Sequence, residues 1–186
     1  MLPFSKTTPP PSSDRLHLQP LEAADLCFLH QRLKNPPGGG CWYGTPYHGL
    51  DALLALHEQH RFDPQQRHYL LVGAPTGSKG WDNRRGLCSL VALDPIHRRA
   101  ELRLELLQDE AELWAEALPL ALARAFDEVN LHRLELQRPP AANPSTELLQ
   151  RLGFQREGVR RAAYYRAGRY EDGELFALLA PDYYGP

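Results

Sequence analysis

The longest apolar segment of the chain, residues 111 to 130, places the strongest constraint on its fold. Its apolar side chains recur at three- and four-residue spacing, which predicts a helix with one face in a hydrophobic core. Pro119 lies inside this segment. Because proline removes one backbone hydrogen bond and its ring clashes with the preceding turn, we expect a kink there or a later start of the helix. A helix this apolar requires a sheet or other helices to pack against.

Strand and helix patterns alternate on both sides of this segment. Period-two and continuous apolar runs predict seven strands, at residues 15–21, 68–73, 85–94, 99–107, 131–137, 159–165 and 175–179. Helical spacing predicts three further helices, at residues 21–34, 50–60 and 146–152, and Gly153 is the expected αL stop of the last. Turns are expected at Gly168 and at Asp172-Gly173. The order predicts one α/β domain over residues 15–186, after a disordered Pro/Ser-rich tail at residues 1–14.

Composition excludes several classes of protein. A net charge of −2, with arginines spread along the chain, argues against charge-driven binding of nucleic acid. No apolar run approaches the ~20 residues of a membrane helix, and the first residues lack the pattern of a secretory signal. The three cysteines are too widely spaced for a disulfide framework or a zinc knuckle. His57 and His60 lack a further ligand at metal-site spacing, so no metal site is expected. A cytoplasmic protein that binds no membrane is therefore predicted.

Six strings occur in the order typical of one family. The most specific is the helix end Leu148-Leu-Gln-Arg-Leu-Gly-Phe-Gln-Arg-Glu-Gly; the others lie at residues 15–21, 100–102, 116–118, 125–134 and 172–179. They resemble the GNAT superfamily of N-acetyltransferases, and most closely the branch that acetylates protein N-termini, including ribosomal-protein alanines. The resemblance implies the GNAT fold, an α/β fold with a mixed, mostly antiparallel central sheet and helices on both faces.

The resemblance also implies acetyl-CoA as co-substrate. In this family acetyl-CoA lies between the fourth and fifth strands, and its pyrophosphate lies on the N-terminus of the long helix. Unpaired N–H groups and a partial positive charge attract anions there. The residues that fall along this path are Leu104, Leu106, Gln108, Glu110, Ala111, Glu112, Leu113 and Asn143.

The acetyl-CoA motif is degenerate in this chain. Aligned on Glu116 and Ala117, the two glycines of the family pattern fall on Glu110 and Glu112, and Asp109 precedes them. Carboxylates beside a pyrophosphate would weaken its binding, since two unit charges 4 Å apart interact by about 4 kcal/mol at a dielectric constant near 20. Alternatively they cap the helix, whose dipole favours acidic residues at its start without any ligand.

Two residues are expected to be catalytic on the basis of the resemblance. Glu101 matches an acidic strand position that acts as general base, directly or through water; its alternative is a solvated carboxylate paired with Arg99 or Arg103. Ser145 falls on the serine that precedes the next helix, where it would protonate the leaving thiolate; its alternative is a helix N-cap. Leu149 stands where many members have a tyrosine that acts as general acid.

Three aromatic residues are expected to contact the acceptor. Trp42 and Tyr43 lie in the glycine-rich loop at residues 35–49, which in this fold shapes the acceptor pocket. Tyr164 belongs to an Arg/Tyr cluster in the closing strands, which flank the same pocket. The alternative for Trp42 and Tyr43 is that they only pack within a lid. The alternative for Tyr164 is that its cluster forms a solvated face of the hairpin.

Two functions therefore compete. The first is transfer of acetyl from acetyl-CoA to a primary amine of a small molecule or peptide, including a protein N-terminus. The second is a catalytically inactive GNAT-fold binding module that has lost ordinary CoA binding or uses another ligand; a closed gap between the strands at Leu104 and Leu134 would favour it. The sequence also allows a homodimer.

Overall fold

The computed structural model describes residues 16–32, 49–73, 83–166 and 168–185. The tail predicted for residues 1–14 lies outside the described residues, as does most of the loop at residues 35–49. The single domain stays a prediction for the chain as a whole.

In the described ranges, seven strands and four helices follow the predicted order, and a short fifth helix that was not predicted ends the chain of elements. The strands are β1 (Leu16–Pro20), β2 (Arg67–Gly73), β3 (Arg84–Asp94), β4 (Arg99–Leu106), β5 (Arg133–Arg138), β6 (Gln155–Arg166) and β7 (Arg169–Leu179). The helices are α1 (Ala23–Arg32), α2 (Leu50–Arg61), α3 (Ala111–Ala123), α4 (Thr146–Arg151) and α5 (Ala180–Tyr184). A π-helical segment, Arg124–Glu128, continues α3. None of these described helices has the length and apolar character needed to cross a membrane.

The strands form one sheet in the order β1-β2-β3-β4-β5-β7-β6. Among its neighbouring strands only β4 and β5 run parallel, because α3 carries the chain back between them. All other neighbours are antiparallel. This is the mixed, mostly antiparallel sheet that the sequence resemblance implied.

Helices cover both faces of the sheet. On one face, even-numbered residues of β4 such as Leu104 and Leu106 pack in a core with α3 and α4. On the other face, Leu26 of α1 and Leu53 of α2 pack with apolar residues of β2 and β3. The odd-numbered polar residues of β4 point towards this second face, which we call the α1–α2 face, because successive side chains of a strand alternate between faces.

One local expectation is wrong, and one of the two alternatives at Pro119 is excluded. Asp172 and Gly173 lie inside β7 and form no turn. A Cβ atom on Gly173 would lie 2.5 Å from Nε2 of Gln137 and 2.9 Å from Cε2 of Tyr164, so this glycine serves close packing. Helix α3 begins at Ala111, eight residues before Pro119, so the late start does not occur. The turns at Gly153 and Gly168 are confirmed, with φ of +92° and +80°.

Candidate active site at the opening between β4 and β5

The parallel strands β4 and β5 separate near the middle of the sheet. Their paired register runs from Arg99 with Arg133 to Leu102 with Leu136 and stops there. Strand β4 continues to Leu106 and β5 to Arg138 without further pairing to one another. The two strands therefore diverge towards their carboxyl ends, and the gap predicted by the family resemblance is open.

The N-terminus of α3 lies directly after β4 at this opening. Glu110 occupies the N-cap position with an extended backbone, and its side chain accepts no hydrogen bond from the helix. The carboxylates of Glu110 and Glu112 belong to exposed residues. Glu110 therefore does not cap the helix by accepting a hydrogen bond. The first turn of this 13-residue helix presents its N–H groups at the opening.

Asp109 turns away from the helix backbone and bonds to two side chains. Its Oδ1 accepts hydrogen bonds from Nε1 of Trp114 at 2.8 Å and from Nδ2 of Asn143 at 3.1 Å. Asn143 belongs to the loop that follows β5, so this bridge joins the loops after the two diverging strands. The negative charge of Asp109 is thereby held by two donors and not by the helix N-terminus.

Arg138, at the end of β5, organises the loop that carries Asn143 and Ser145. The guanidinium group is buried and donates to the carbonyl oxygens of residues 139, 140 and 142 at 3.1, 2.8 and 2.8 Å. It also donates to Oγ1 of Thr146 at 2.6 Å and pairs with Glu174 at 3.1 Å. Burial lowers the pKa of Arg138, and Glu174 counteracts that shift. No local sequence pattern indicates Arg138, although it fixes one wall of the opening.

Ser145 caps α4, as its alternative interpretation predicted. Its Oγ accepts a hydrogen bond from the backbone N–H of Leu148 at 3.2 Å. Hydrogen bonds from the backbone N–H of Glu147 itself and from Ser145 lower the pKa of the Glu147 carboxyl. The hydroxyl of Ser145 is thus occupied by the helix start, and its role as a proton donor stays a prediction.

Glu101 lies on β4 opposite Glu135 of β5, on the α1–α2 face. Each carboxylate has an arginine two residues away on its own strand: Arg103 donates to Glu101 at 2.8 Å and Arg133 donates to Glu135 at 2.9 Å. Arg133 also pairs with Glu157 of β6, which lowers the pKa of the Glu157 carboxyl. Both strand carboxylates are therefore paired with neighbouring guanidinium groups.

Tyr164 of β6 lies beside these carboxylates. Burial raises the pKa of its hydroxyl, and the charge of Glu101 raises it further, whereas a hydrogen bond with Gln137 lowers it. Tyr164, Gln137 and Glu101 are therefore close together on the α1–α2 face, near the last residues of β5. Trp42 and Tyr43, the other expected acceptor contacts, lie outside the described residues.

Glu105 differs from the other carboxylates of β4. It pairs with Leu87 of β3, and both Leu87 and Leu107 belong to the apolar cluster under α1 and α2. Its Oε2 atom is buried without a hydrogen-bond partner among the described residues. Burial raises the pKa of the Glu105 carboxyl to about 7, and the charge of Arg103 offsets only part of that effect. In the sequence, Glu105 is one of the polar residues that alternate with leucines in this strand, and no pattern distinguishes it from the others.

Histidines gather on the same face but form no metal centre. The rings of His60 and His68 stack at 5.4 Å, and Nδ1 of His68 lies 2.8 Å from Oγ of Ser89. Burial lowers the pKa of His68 to about 4, and it lowers that of His57 and His60 as well. Within the described part of the chain, no three His, Cys, Asp or Glu residues are arranged to hold a metal ion.

The chain is similar in sequence and in fold to N-acetyltransferases. The chain is 27% identical over 176 residues to the spermidine N(1)-acetyltransferase of Escherichia coli K12, which covers 93% of this chain and 90% of that protein. It is 28% identical over 173 residues to the Vibrio cholerae enzyme of the same name, covering 92% and 96%. The crystal structure of spermidine N-acetyltransferase from Vibrio cholerae in complex with CoA and spermine superposes with a TM-score of 0.79, at 27% identity, covering 92% and 99%. No protein-family model matches the chain.

The sheet order, the end of the β4–β5 pairing and these similarities define the GNAT fold. The chain is therefore similar, over more than nine-tenths of its length, to N-acetyltransferases of this fold, as its sequence strings indicated. Its narrower resemblance to the ribosomal-protein and N-terminal alanine branch has no counterpart among these relatives, which are named for spermidine.

Proposed function

We propose that the protein transfers the acetyl group of acetyl-CoA to a primary amine of a polyamine such as spermidine. The observation that carries the proposal is similarity over more than nine-tenths of the chain to spermidine N-acetyltransferases, together with an open gap between β4 and β5. Acetyl-CoA would supply an activated thioester; the protein's residues bind it, orient it and manage the protons.

The residues at the opening fit acetyl-CoA. The first turn of α3 offers backbone N–H groups and the positive end of the helix dipole, which suit a pyrophosphate. Leu104 and Leu106 belong to β4 beyond its last pair with β5, Gln108 lies between that strand and α3, and Ala111 is the first residue of α3. The bridge from Asp109 to Asn143 places the loop that follows β5 on the other side. These contacts support, residue by residue, the cofactor path implied by the sequence.

The α1–α2 face fits a positively charged acceptor. Glu101, Glu105, Glu135 and Glu157 lie along β4, β5 and β6, and Tyr164 and Gln137 offer neutral hydrogen-bonding groups among them. A polyamine presents several ammonium groups along an apolar chain, so more than one carboxylate can pair with it. The protein N-terminal amine stays the second acceptor, supported only by the sequence resemblance.

The inactive alternative has little support. Its expected sign was a closed gap near Leu104 and Leu134, whereas the pairing of β4 with β5 ends at Leu102 and Leu136. Glu112 belongs to the exposed surface of α3. A homodimer, also expected from the sequence, stays a prediction.

Product analysis tests the acceptor class. With acetyl-CoA and equal concentrations of spermidine, an amino-terminal alanyl peptide and butylamine, we expect monoacetylated spermidine as the main product by mass spectrometry. The monoamine controls for amine reactivity without extended charge. Acetylated peptide in excess of acetylspermidine would contradict the polyamine proposal and favour the N-terminal amine.

The carboxylates at the start of α3 should weaken acetyl-CoA binding only modestly. Because Glu110 and Glu112 are exposed, water and salt screen their repulsion of the phosphates. The double variant Glu110→Gln/Glu112→Gln should bind acetyl-CoA about two- to fivefold more tightly, in line with exposed charge pairs. Calorimetric titration at low and high salt measures this effect, which should shrink as salt rises.

Glu116→Gln is the matched control, since Glu116 is an exposed carboxylate farther along the same helix. Its acetyl-CoA affinity should stay unchanged. Equal affinities for the wild type and the double variant at low salt would contradict a position of these carboxylates beside the phosphates.

A further inference from the structure

Among the carboxylates of the α1–α2 face that the structure describes, Glu105 is the one to which no counter-ion is bonded. Glu101 is bonded to Arg103, and Glu135 is bonded to Arg133. Oε2 of Glu105, in contrast, is buried and has no donor among the described residues. A buried polar atom without a partner costs free energy, so its retention calls for an explanation.

The position of Glu105 on β4 suggests the partner it lacks. It lies three residues beyond Leu102, the last residue of β4 that pairs with β5, and therefore beside the open gap. Its side chain points to the α1–α2 face, because the even-numbered neighbours Leu104 and Leu106 pack towards α3. Glu105 therefore lies at the edge of the opening, on the face from which we expect the amine to enter.

We propose that Glu105 is the general base that takes the proton of the attacking amine. This inference rests on the proposed acetyl transfer and adds a residue to it. The arriving ammonium group pairs with Oε2 and donates one proton to it. The nitrogen lone pair then forms the N–C bond to the acetyl carbonyl carbon, the C–S bond breaks, and the sulfur leaves with the electron pair. The nitrogen's second excess proton neutralises the thiolate, directly or through water.

The electrostatic surroundings leave this carboxyl able to exchange a proton near neutral pH. Burial raises its pKa to about 7, and the charge of Arg103 on the same strand holds it from rising further. A base is most effective when its pKa lies near the working pH.

The charged groups on neighbouring elements are already engaged or uncharged. Asp25 of α1 pairs with Arg84 of β3. On α2 and β2, His57, His60 and His68 have lowered pKa values, so at neutral pH their rings are neutral and supply no charge to Glu105.

The pH dependence of acetyl transfer tests the proposal. For the wild type, kcat/KM for spermidine should rise about tenfold per pH unit up to about pH 7, because the base acts only when deprotonated. Glu105→Gln should lose this rise of kcat/KM with pH, the acidic limb of the pH profile. It should also lower kcat by about 10²- to 10⁴-fold, with the Kd of acetyl-CoA unchanged. Glu105→Asp should restore part of the rate together with the limb.

The comparison variant is Glu101→Gln, which removes the carboxylate that the sequence favoured, on the same strand and face. Loss of the limb in this variant and its retention in Glu105→Gln would overturn the assignment. A Glu105→Gln enzyme with the rate and pH profile of the wild type would also overturn it. A wild type that binds no acetyl-CoA and transfers no acetyl would instead refute the proposed function, and this inference with it.

A stability measurement distinguishes the loss of a buried carboxyl group from misfolding of the variant. Because folding raises the pKa of Glu105 above its ordinary 4.5, the wild type should lose stability as pH rises from 4.5 to about 7. Glu105→Gln carries no such charge, so its melting temperature relative to wild type should increase over the same interval. A difference that does not change with pH would contradict a carboxyl buried without a partner.

Discussion

Arg138→Met should lower the free energy of unfolding by about 3–5 kcal/mol, the range for breaking a buried ion pair by removing one partner. The guanidinium group of Arg138 is buried, bonds to three loop carbonyl oxygens and lies over the ring of Phe176 at 5.3 Å. Methionine keeps the apolar stem but leaves those carbonyl oxygens without their donor. The loop carrying Asn143 should then loosen, so acetyl-CoA affinity should fall as well. Urea denaturation and calorimetric titration measure the two effects.

Arg156→Met provides a matched control, because Arg156 and Arg138 pair with the same carboxylate. Arg156 lies 3.0 Å from Glu174 but is 48% exposed, whereas Arg138 is 5% exposed. An exposed pair contributes at most about 1 kcal/mol, so this variant should stay within that limit. Equal losses in the two variants would show that Arg138 does not hold the loop in the way described.

Gly86→Ala should destabilise the centre of the sheet by about 2–3 kcal/mol or more, in the range for overpacking a filled core. A Cβ atom on Gly86 would lie 2.3 Å from the carbonyl oxygen of Glu105 and 3.1 Å from Cα of Leu106. Both atoms belong to the β4 backbone, which is paired on this side and cannot move without disturbing the sheet. Since the clash falls on Glu105, the variant should also lose acetyl-transfer activity at temperatures where it stays folded.

The control for this substitution is Gly158→Ala. Gly158 lies in β6, where an added Cβ atom meets nothing within 4 Å. Its stability should stay within about 0.5 kcal/mol of wild type, as for other surface substitutions. Thermal denaturation of both variants gives the comparison, and a Gly86→Ala protein as stable as Gly158→Ala would contradict the close approach of β3 to β4.

Local periodicity predicted most of the fold. The strands from β2 to β5 and the helices α2 and α4 begin and end within about two residues of the predicted positions, because their apolar alternation reflects burial on one face. Asp172-Gly173 predicts a turn, because glycine after aspartate is common in turns. In the structure the glycine gives room to Gln137 and Tyr164, a contact between distant segments that local sequence does not encode.

The candidate site was predictable only where the family strings reach. They located the opening between β4 and β5 and the start of α3, and they singled out Glu101. They could not indicate Glu105, whose burial depends on its register against Leu87 and on the helices above it. Arg138 was missed for the same reason, since its partners are carbonyl oxygens and Glu174 of another strand. The acidic loop was recognised, but not the bridge from Asp109 to Trp114 and Asn143.

Binding of acetyl-CoA tests the account most directly, because acetyl transfer, the fit of the opening and the role of Glu105 all depend on it. Calorimetric titration of the full chain with acetyl-CoA should give a one-to-one complex with a Kd in the micromolar range, and a higher melting temperature at saturation. Desulfo-CoA, which keeps the pyrophosphate but not the thioester, should bind with similar affinity if the N-terminus of α3 holds the phosphates. The absence of both heat and a shift in melting temperature at millimolar acetyl-CoA would contradict the proposal that this protein is a working acetyltransferase.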